Sequence, residues 1–305
     1  LVGNKPDIEV LLITFYKEIE KISLHRGYSH SIIFCFLGAI LLTFLFKKLN
    51  WTSDFGRSRL WLFSFLALFT HVLLDAFTSY GTQLFLPFSD QRVSFDSIGI
   101  IDPFYTLPLL TGLVGAAFKD KNSTARRWWN YAGLIISSSY LVFTLINKQS
   151  IEQIFAQNFK EKSIPIEKML TVPVSFGNAL WYGVGKTDDG LYIGDYSVFD
   201  VSKTIDFEFF PTNEHLLDGL DHELVDRMKW FSKGFYTVAE NDGKIHFYNM
   251  QCDMQGVKKF GSYKAPTAFF FEIEPEENDA YRLSTGMHHS GEDLKHKWNR
   301  IFGIQ

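Results

Sequence analysis

Four apolar stretches dominate the first half of the chain, and most of each stretch lacks Asp, Glu, Lys and Arg. They cover residues 31–46, 60–74, 103–118 and 131–147. Crossing roughly 30 Å of hydrocarbon takes about 17–25 helical residues, so the stretches are at the short end of that range. Aromatic residues near their ends favour a bundle of four membrane spans over a buried bundle in a soluble protein. These residues are Trp51, Trp61, Trp128, Trp129 and Tyr131.

The second half of the chain predicts a small α+β domain. Residues 148–163 have helical spacing, with Ile151, Ile154, Phe155 and Phe159 on one face, and we expect this helix to link or dock the two halves. Strand-like stretches separated by turn residues follow, and they include a hairpin around Asp242-Gly243. A further helix is predicted over 221–235.

The predicted domains are therefore a membrane-embedded domain over residues 1–147 and an α+β domain over residues 148–305. The chain starts at Leu1 without Met, which favours a longer natural protein with a further apolar segment before it. Net charge is −4 over 305 residues, and no basic block favours nucleic acid as a partner. Two cysteines, Cys35 and Cys252, are too few for a cysteine zinc cluster.

Lysine and arginine in the loops predict the orientation of the spans. Residues 47–59 and 119–130 each hold four of these basic residues, whereas residues 78–100 hold only Arg92. The positive-inside rule puts the two basic loops in the cytoplasm. We therefore expect a multi-pass inner (cytoplasmic) membrane protein in which the 78–100 loop and the 148–305 domain are extracytoplasmic.

Ionisable residues inside predicted spans are costly and usually functional. His71 and Asp75 lie one helical turn apart in "HVLLD", and Asp102 opens the third span. His25 and His30 lie in "LHRGYSHSIIF", just before the first span. The orientation places all five residues at the same outer face of the membrane, which predicts a shared site there.

A histidine and an acid one turn apart can bind one metal ion, and this ligand type suits Zn²⁺. The predicted divalent-metal ligands are His25, His30, His71, Asp75 and Asp7, the last from "KPDIEV". Each pattern by itself has a simpler interpretation. "HVLLD" is also typical of a hydrogen-bonded structural pair, "HRGYSH" of a polar interfacial loop, and the Asp7 and Glu9 pair of a solvent-facing turn.

The remaining site candidates are acids and arginines of the loops. Asp102 or Asp90 is the predicted general base, while Asp96 is expected to be a solvated loop charge. Arg26 and Arg92 are predicted to contact an anionic substrate group, because guanidinium matches phosphate and carboxylate geometry. Gly27 is expected to let the backbone turn between the two histidines, and Ser31 to cap the helix that follows.

Several stretches together resemble one known family. "HRGYSHS", "HVLLDAFTSYGTQLFLPFSD" and "IDPFYT" are similar to the YdjM-like, membrane-bound, metal-dependent hydrolases of bacteria and archaea. That family is also described as LexA-binding, inner-membrane-associated hydrolases. "KPDIEVLL" resembles its Pro-Asp-x-Asp stretch, with Glu9 in place of the second Asp. The resemblance covers about residues 3–118 and implies a metal-dependent hydrolase. A distant similarity to helical zinc phospholipases and nucleases implies phosphoester cleavage.

The predicted function is an integral membrane hydrolase with one or two Zn²⁺-like ions at the outer interface. The metal would make a hydroxide nucleophile from bound water, and the location favours membrane lipid or another amphiphilic or phosphorylated substrate. The alternative is a non-catalytic receptor or regulatory anchor whose His/Asp cluster is structural. A transporter is disfavoured, because the chain has no repeat and the site is at the membrane edge.

Overall fold

The structure of the chain is a computed structural model. It describes residues 7, 9, 15–50, 55–174, 177–241, 243–251, 257–260, 263–266, 269–275, 281–287 and 298–304. The chain divides into two compact units. The first comprises Leu1–Phe95 with Leu220–Phe231, and the second comprises Asp96–Gly219 with Ser232–Gln305.

Helices dominate the region before residue 161, and one more helix follows later in the chain. The described helices are α1 (Glu18–Leu24), α2 (Ile32–Lys48), α3 (Arg57–Phe77), α4 (Pro103–Ala117), α5 (Thr124–Glu161) and α6 (His222–Phe231). A 3-10 turn, Tyr28–His30, precedes α2. As predicted, Ser31 caps α2, and its Oγ accepts a hydrogen bond from the Phe34 backbone N at 3.1 Å.

Helices α2 and α3 pack through small and medium side chains. Cys35 and Ala39 of α2 are buried, as are Leu68, Val72 and Ala76 of α3. Large apolar side chains of α2 lie on its exposed faces instead, namely Phe36, Leu37, Ile40, Leu41 and Phe44. Small residues between helices and large apolar residues outside are typical of helices surrounded by lipid.

Helices α4 and α5 approach closely through glycines. A Cβ atom on Gly112 would lie 2.9 Å from the Gly133 Cα atom, so neither position has room for a side chain. One turn further along α5, the Ser137 hydroxyl donates to the Tyr105 carbonyl oxygen at 2.9 Å. Close backbone contact of this kind stabilises helix pairs in membranes.

The number of membrane spans differs from the prediction. All four apolar stretches are helical, but among the described residues only α3 and α5 are long and apolar enough to cross a membrane by themselves. A third span is possible if Ile19–His30 and Ile32–Lys48, which are bent by 56°, count as one. Helix α4 has 15 residues and rises roughly 22 Å, less than the hydrocarbon thickness of about 30 Å. Four spans are therefore not confirmed.

Helix α5 joins two predicted elements into one. It runs without a break for 38 residues, through both the predicted fourth span and the predicted amphipathic helix. The domain boundary predicted at residue 147 falls inside this helix and stays a prediction. The expected inward face is confirmed, because Ile151, Phe155 and Phe159 are buried in a cluster with Trp181.

The small β domain after α5 is confirmed. Its described strands are β1 (Lys168–Pro173), β2 (Leu180–Lys186), β3 (Gly190–Ser197), β4 (Glu208–Pro211), β5 (Tyr236–Asn241), β6 (Lys244–Asn249), β7 (Val257–Phe260), β8 (Tyr263–Pro266), β9 (Phe269–Pro275) and β10 (Tyr281–Met287). They form an antiparallel sheet in the order β1-β2-β3-β4, a second in the order β10-β9-β6-β5, and the β7-β8 ribbon. The β5-β6 hairpin is the one predicted around Gly243.

Helix α5 packs on the first sheet through two glycines of β2. The Phe155 ring lies over Gly183 and the Phe159 ring over Gly185, so that a side chain at either glycine would overlap a ring. These contacts fix the helix against the sheet, with β2 running in the same direction as α5.

Candidate metal centre

The "HRGYSH" stretch forms the tight connection between α1 and α2. Arg26 has a φ of +55°, in the left-handed region. A Cβ atom on Gly27 would come within 2.8 Å of the Leu24 carbonyl oxygen, so the turn needs glycine there because of this close approach. The 3-10 turn then carries His30, whose side chain is fully buried.

His30 meets residues from two other parts of the first unit. Asp7, His30 and His71 each offer one ligand atom, and these atoms all lie within 4.8 Å of one another. The Nε2 atom of His30 is 3.6 Å from Asp7 Oδ1, and Nε2 of His71 is 3.5 Å from Asp7 Oδ2. Three of the predicted ligands are therefore together at ligand-like separations.

Asp75 completes the group from α3, one turn after His71. Its Oδ2 atom is 3.2 Å from His30 Nε2 and 3.5 Å from His71 Nε2. These three buried atoms have no hydrogen-bond partner in the described structure. Buried polar atoms are almost always hydrogen-bonded, so three unsatisfied atoms facing one point suggest a group that binds them all. Two imidazoles and two carboxylates are a donor set that suits Zn²⁺.

Glu9 and Ser29 hold the opposite side of the His30 ring. Nδ1 of His30 is 3.0 Å from Ser29 Oγ and 3.5 Å from Glu9 Oε1. Glu9 is buried, and it also accepts hydrogen bonds from the Arg26 backbone N, at 2.5 Å, and from the Ser29 hydroxyl. Burial alone would raise the pKa of Glu9, but hydrogen bonds to His25, His30 and Ser29 outweigh it and lower the pKa to about 2.

The solvent-facing interpretation of Glu9 is therefore wrong. The sequence signal that pointed to Glu9 was its spacing of two residues from Asp7. Ser29 was missed as a supporting residue, because a serine inside a polar turn carries no pattern that separates it from its neighbours.

Arg26 contacts Asp75 in the structure. Its Nη2 atom is 3.2 Å from Asp75 Oδ1, and Nη1 donates to Thr78 Oγ1 at 2.9 Å. The guanidinium also lies over the Tyr80 ring, 4.9 Å from the centroid. Its contact with a substrate anion stays a prediction, whereas its role in orienting Asp75 follows from these contacts.

The charges of this cluster favour a divalent cation. Asp7, Glu9 and Asp75 are carboxylates, and Arg26 supplies one positive charge beside Asp75. The remaining two negative charges would be balanced by a divalent ion.

His25 lies outside the group of converging atoms. Its Nδ1 atom is 3.4 Å from Glu9 Oε1, and its ring meets the Tyr80 ring edge-on at 5.1 Å. The structure therefore brings together four of the five predicted ligands and places the fifth next to Glu9.

Arg92 and Asp90 belong to the loop after α3 in the same unit. Arg92 is buried, and its guanidinium donates to the carbonyl oxygens of Tyr80 and Gly81 at 2.6 and 3.2 Å. The rings of Tyr80 and Phe231 lie 4.2 and 4.7 Å away, and these contacts fix the loop. Asp90 is exposed.

Asp102 and Asp96 belong to the second unit. Asp102 caps α4 with Oδ1, which accepts from the Phe104 backbone N at 2.9 Å, and its Oδ2 accepts from the Tyr140 hydroxyl at 2.8 Å. The expectation that Asp96 is solvated is wrong. Asp96 is buried, and its Oδ2 lies 3.7 Å from the Lys148 ammonium, which compensates the charge.

Comparison with known proteins identifies the helical region that carries the cluster. Residues 1–151 match the family model described as YdjM inner membrane protein. This part of the chain belongs to the YdjM family. The YdjM region contains all four converging residues, and its family and candidate spans support a location in the inner membrane.

Two relatives are similar to part of the YdjM region. The uncharacterized protein YfhP of Bacillus subtilis (strain 168) is 32% identical over 114 residues, which is 37% of this chain and 34% of YfhP. The inner membrane protein YbcI of Escherichia coli (strain K12) is 35% identical over 94 residues, 30% of this chain and 53% of YbcI. The chain thus spans about a third to a half of these relatives. No solved structure matches it.

Proposed function

We propose that the protein is an integral membrane, metal-dependent hydrolase whose metal ligands are Asp7, His30, His71 and Asp75. The observation that carries the proposal is the convergence of three buried, unsatisfied atoms: His30 Nε2, His71 Nε2 and Asp75 Oδ2. The divalent ion expected from this donor set is Zn²⁺.

The four ligands differ in their exposure, which gives the centre an open side. The His30 side chain is fully buried, the Asp75 side chain is 16% exposed, and the Asp7 side chain is 44% exposed. Water and substrate would therefore approach from the side of Asp7. A Zn²⁺ ion held by these four residues would lower the pKa of a water molecule to about 7 and so would supply a hydroxide nucleophile at neutral pH.

The surrounding residues would keep the ligands in place during hydrolysis. Glu9 and Ser29 orient the His30 ring through Nδ1, and Arg26 orients Asp75 through Oδ1. Of the two carboxylates predicted as general base, Asp102 accepts hydrogen bonds at both oxygens. The choice of Asp102 or Asp90 as general base stays a prediction.

The proposed substrate is an amphiphilic or phosphorylated molecule, including membrane lipid. Two observations support it: the ligands His71 and Asp75 lie in the last two turns of a candidate span, and the family is an inner membrane family. The proposed orientation puts the centre and the sheets on the extracytoplasmic side. Protease digestion of intact spheroplasts would test it, and cleavage restricted to inverted vesicles would contradict it.

Metal analysis of the detergent-purified full chain tests the centre itself. We expect wild-type protein to retain a stoichiometric divalent metal through gel filtration, measured by plasma mass spectrometry. The His30→Ala/His71→Ala double variant should lose it, because two of the four ligands are removed. His215→Ala, an exposed histidine of the β domain, is the matched control and should retain it. His25→Ala should also retain most of the metal.

A wild-type protein without metal, or full retention by the double variant, would contradict the centre and favour the structural alternative. In that case the protein would be a non-catalytic membrane protein whose His/Asp cluster holds its helices together. Hydrolysis is tested separately with chromogenic phosphoesters in mixed micelles, where a chelator should remove the activity and added Zn²⁺ should restore it.

A further inference from the structure

A patch of exposed apolar side chains lies on the β part of the second unit. We call it the corner patch, and its members are Val198, Phe199, Val201, Trp298, Phe302 and Ile304. Val201 is fully exposed, and the other five side chains are 40–57% exposed. The rings of Phe199 and Phe302 stack at 5.8 Å, and Trp298 meets Phe302 edge-on at 5.3 Å. Contiguous apolar patches on a folded surface usually mark an interaction site.

The two segments of the corner patch are fixed to each other. The Arg300 guanidinium pairs with Asp195 at 2.7 Å and with Asp200 at 2.6 Å. The Ser197 hydroxyl donates to the Ile301 carbonyl oxygen at 2.5 Å. These contacts hold the turn after β3 and the segment 298–304 together, so the apolar residues form one built surface.

The contacts of α5 with β2 show which residue of α5 lies level with the corner patch along the helix axis. Phe159 packs on Gly185, Phe155 on Gly183, and the Asn147 amide donates to the Asn178 carbonyl oxygen at 2.9 Å. Strand β2 therefore starts at the level of Asn147 and moves away from it toward Lys186.

Strand β3 returns to the same level. Ser197, its last residue, pairs with Leu180 at the start of β2, and the Val198 backbone N donates to the Ala179 carbonyl oxygen at 2.9 Å. The corner patch begins at Val198 and therefore lies at the level of Asn147, about 18 Å below Phe159 by helical rise.

Asn147 is also the end of the apolar part of α5. Trp128, Trp129 and Tyr131 are exposed near the other end of that part. From Trp129 to Asn147 the helix rises about 27 Å, close to the hydrocarbon thickness of a bilayer. If Trp129 lies at one membrane interface, where aromatic side chains concentrate, the corner patch lies at the other.

We propose that the corner patch docks on the lipid bilayer, with Phe199, Val201 and Trp298 inserted at the boundary of headgroups and acyl chains. Aromatic and aliphatic side chains suit this boundary, which is apolar on one side and hydrated on the other. The charge of Arg300 is compensated by two aspartates, so the contact depends on apolar insertion and not on anionic headgroups. The proposal does not depend on the metal centre or on hydrolysis.

The test measures the lipid exposure of single probes in nanodiscs that contain the full chain. Cys35→Ala and Cys252→Ser remove the natural thiols, and an environment-sensitive fluorophore is attached to Val201→Cys or to Phe199→Cys. The matched control is Phe209→Cys. Phe209 is also an exposed aromatic residue, 42% exposed, but it pairs with Tyr192 near the far end of the sheet.

Nitroxide-labelled phosphatidylcholine should quench the probes at residues 201 and 199 at least threefold more than the probe at residue 209, while iodide should quench mainly the probe at 209. The result should be the same in zwitterionic and anionic nanodiscs. Strong iodide quenching at 201 and 199 would overturn the proposal in favour of a free surface. Shielding of both probes from lipid nitroxide and iodide alike would overturn it in favour of a second copy or another protein.

Discussion

Glu9 touches the side of His30 that faces away from the proposed ion. The ring nitrogen Nδ1 faces Glu9 and Ser29, and Nε2 faces Asp7 and Asp75. A carboxylate at Nδ1 keeps the proton on that nitrogen and leaves Nε2 free to bind metal. The orientation of the His30 ring therefore depends on a residue that is not among the four proposed ligands.

Replacing Glu9 should weaken metal binding without removing a ligand. Glu9→Gln keeps the size of the side chain but removes its charge, so we expect a 10–100-fold rise in the Kd for Zn²⁺, the usual effect of losing such a partner. Competition with a fluorescent chelator measures this Kd. The exposed Glu167→Gln is the control, and its Kd should equal that of wild type. An unchanged Kd in Glu9→Gln would show that Glu9 only supports the fold.

From the sequence, the site could be predicted only as a group of residues on the same face of the membrane. Helical spacing put His71 and Asp75 together, and the orientation of the spans grouped them with His30. To decide whether His25 is a ligand, and whether Glu9 faces solvent or the site, one needs the side-chain directions, which depend on the turn at Arg26. The positive φ of Arg26 gives no sequence signal, because arginine is not among the residue types that favour this region of backbone conformation.

At the scale of elements, the packing of α5 on the first sheet depends on the missing side chain of Gly183. Gly183→Ala should lower the free energy of unfolding by about 1–3 kcal/mol, because the new Cβ overlaps the Phe155 ring. Thermal unfolding in detergent, followed by circular dichroism, measures the change. Phe155→Leu made in the same chain frees space and should recover part of the loss. Equal losses in Gly183→Ala with and without Phe155→Leu would contradict this packing.

The helices and most strands were predictable from the sequence, whereas their boundaries were not. Apolar stretches predicted α2, α3, α4 and the start of α5, and strand-like stretches between turn residues predicted most of the first sheet. The helix continues past Asn147, where the predicted span ends, because a change from apolar to polar residues does not by itself end a helix. Residues 148–161 continue as helix, since they contain good helix formers and an apolar face that the sheet covers.

At the scale of the whole chain, Arg300 closes the β domain by joining segments about 100 residues apart. Arg300→Gln leaves Asp195 and Asp200 without their cation, so we expect the free energy of unfolding to fall by roughly 2–4 kcal/mol. This is less than the cost of breaking a fully buried pair, because the Asp195 side chain is about a third exposed. Limited proteolysis should then release the C-terminal segment faster than in wild type. Arg59→Gln, an exposed arginine, is the control. Equal cleavage rates would exclude this role of Arg300.

The sequence could not have predicted this long-range order. Sheet order and the pairing of Arg300 with Asp195 depend on contacts between residues 105 positions apart, and hydrophobic periodicity is a local signal. Local sequence patterns likewise cannot predict the division into two compact units, because Leu220–Phe231 belongs to the first unit although it lies far along the chain.

The unbroken course of α5 restricts how its length can change. Asn147 donates a hydrogen bond to Asn178, just before β2, and Phe155 packs on Gly183 within β2, so these two contacts are separated by eight residues of one helix. One inserted residue between them would turn the later part of the helix by about 100° and shift it by about 1.5 Å, and only one of the two contacts would survive. Insertions and deletions should therefore be excluded from residues 147–159, which act as a fixed spacer between the bilayer and the far end of the sheet.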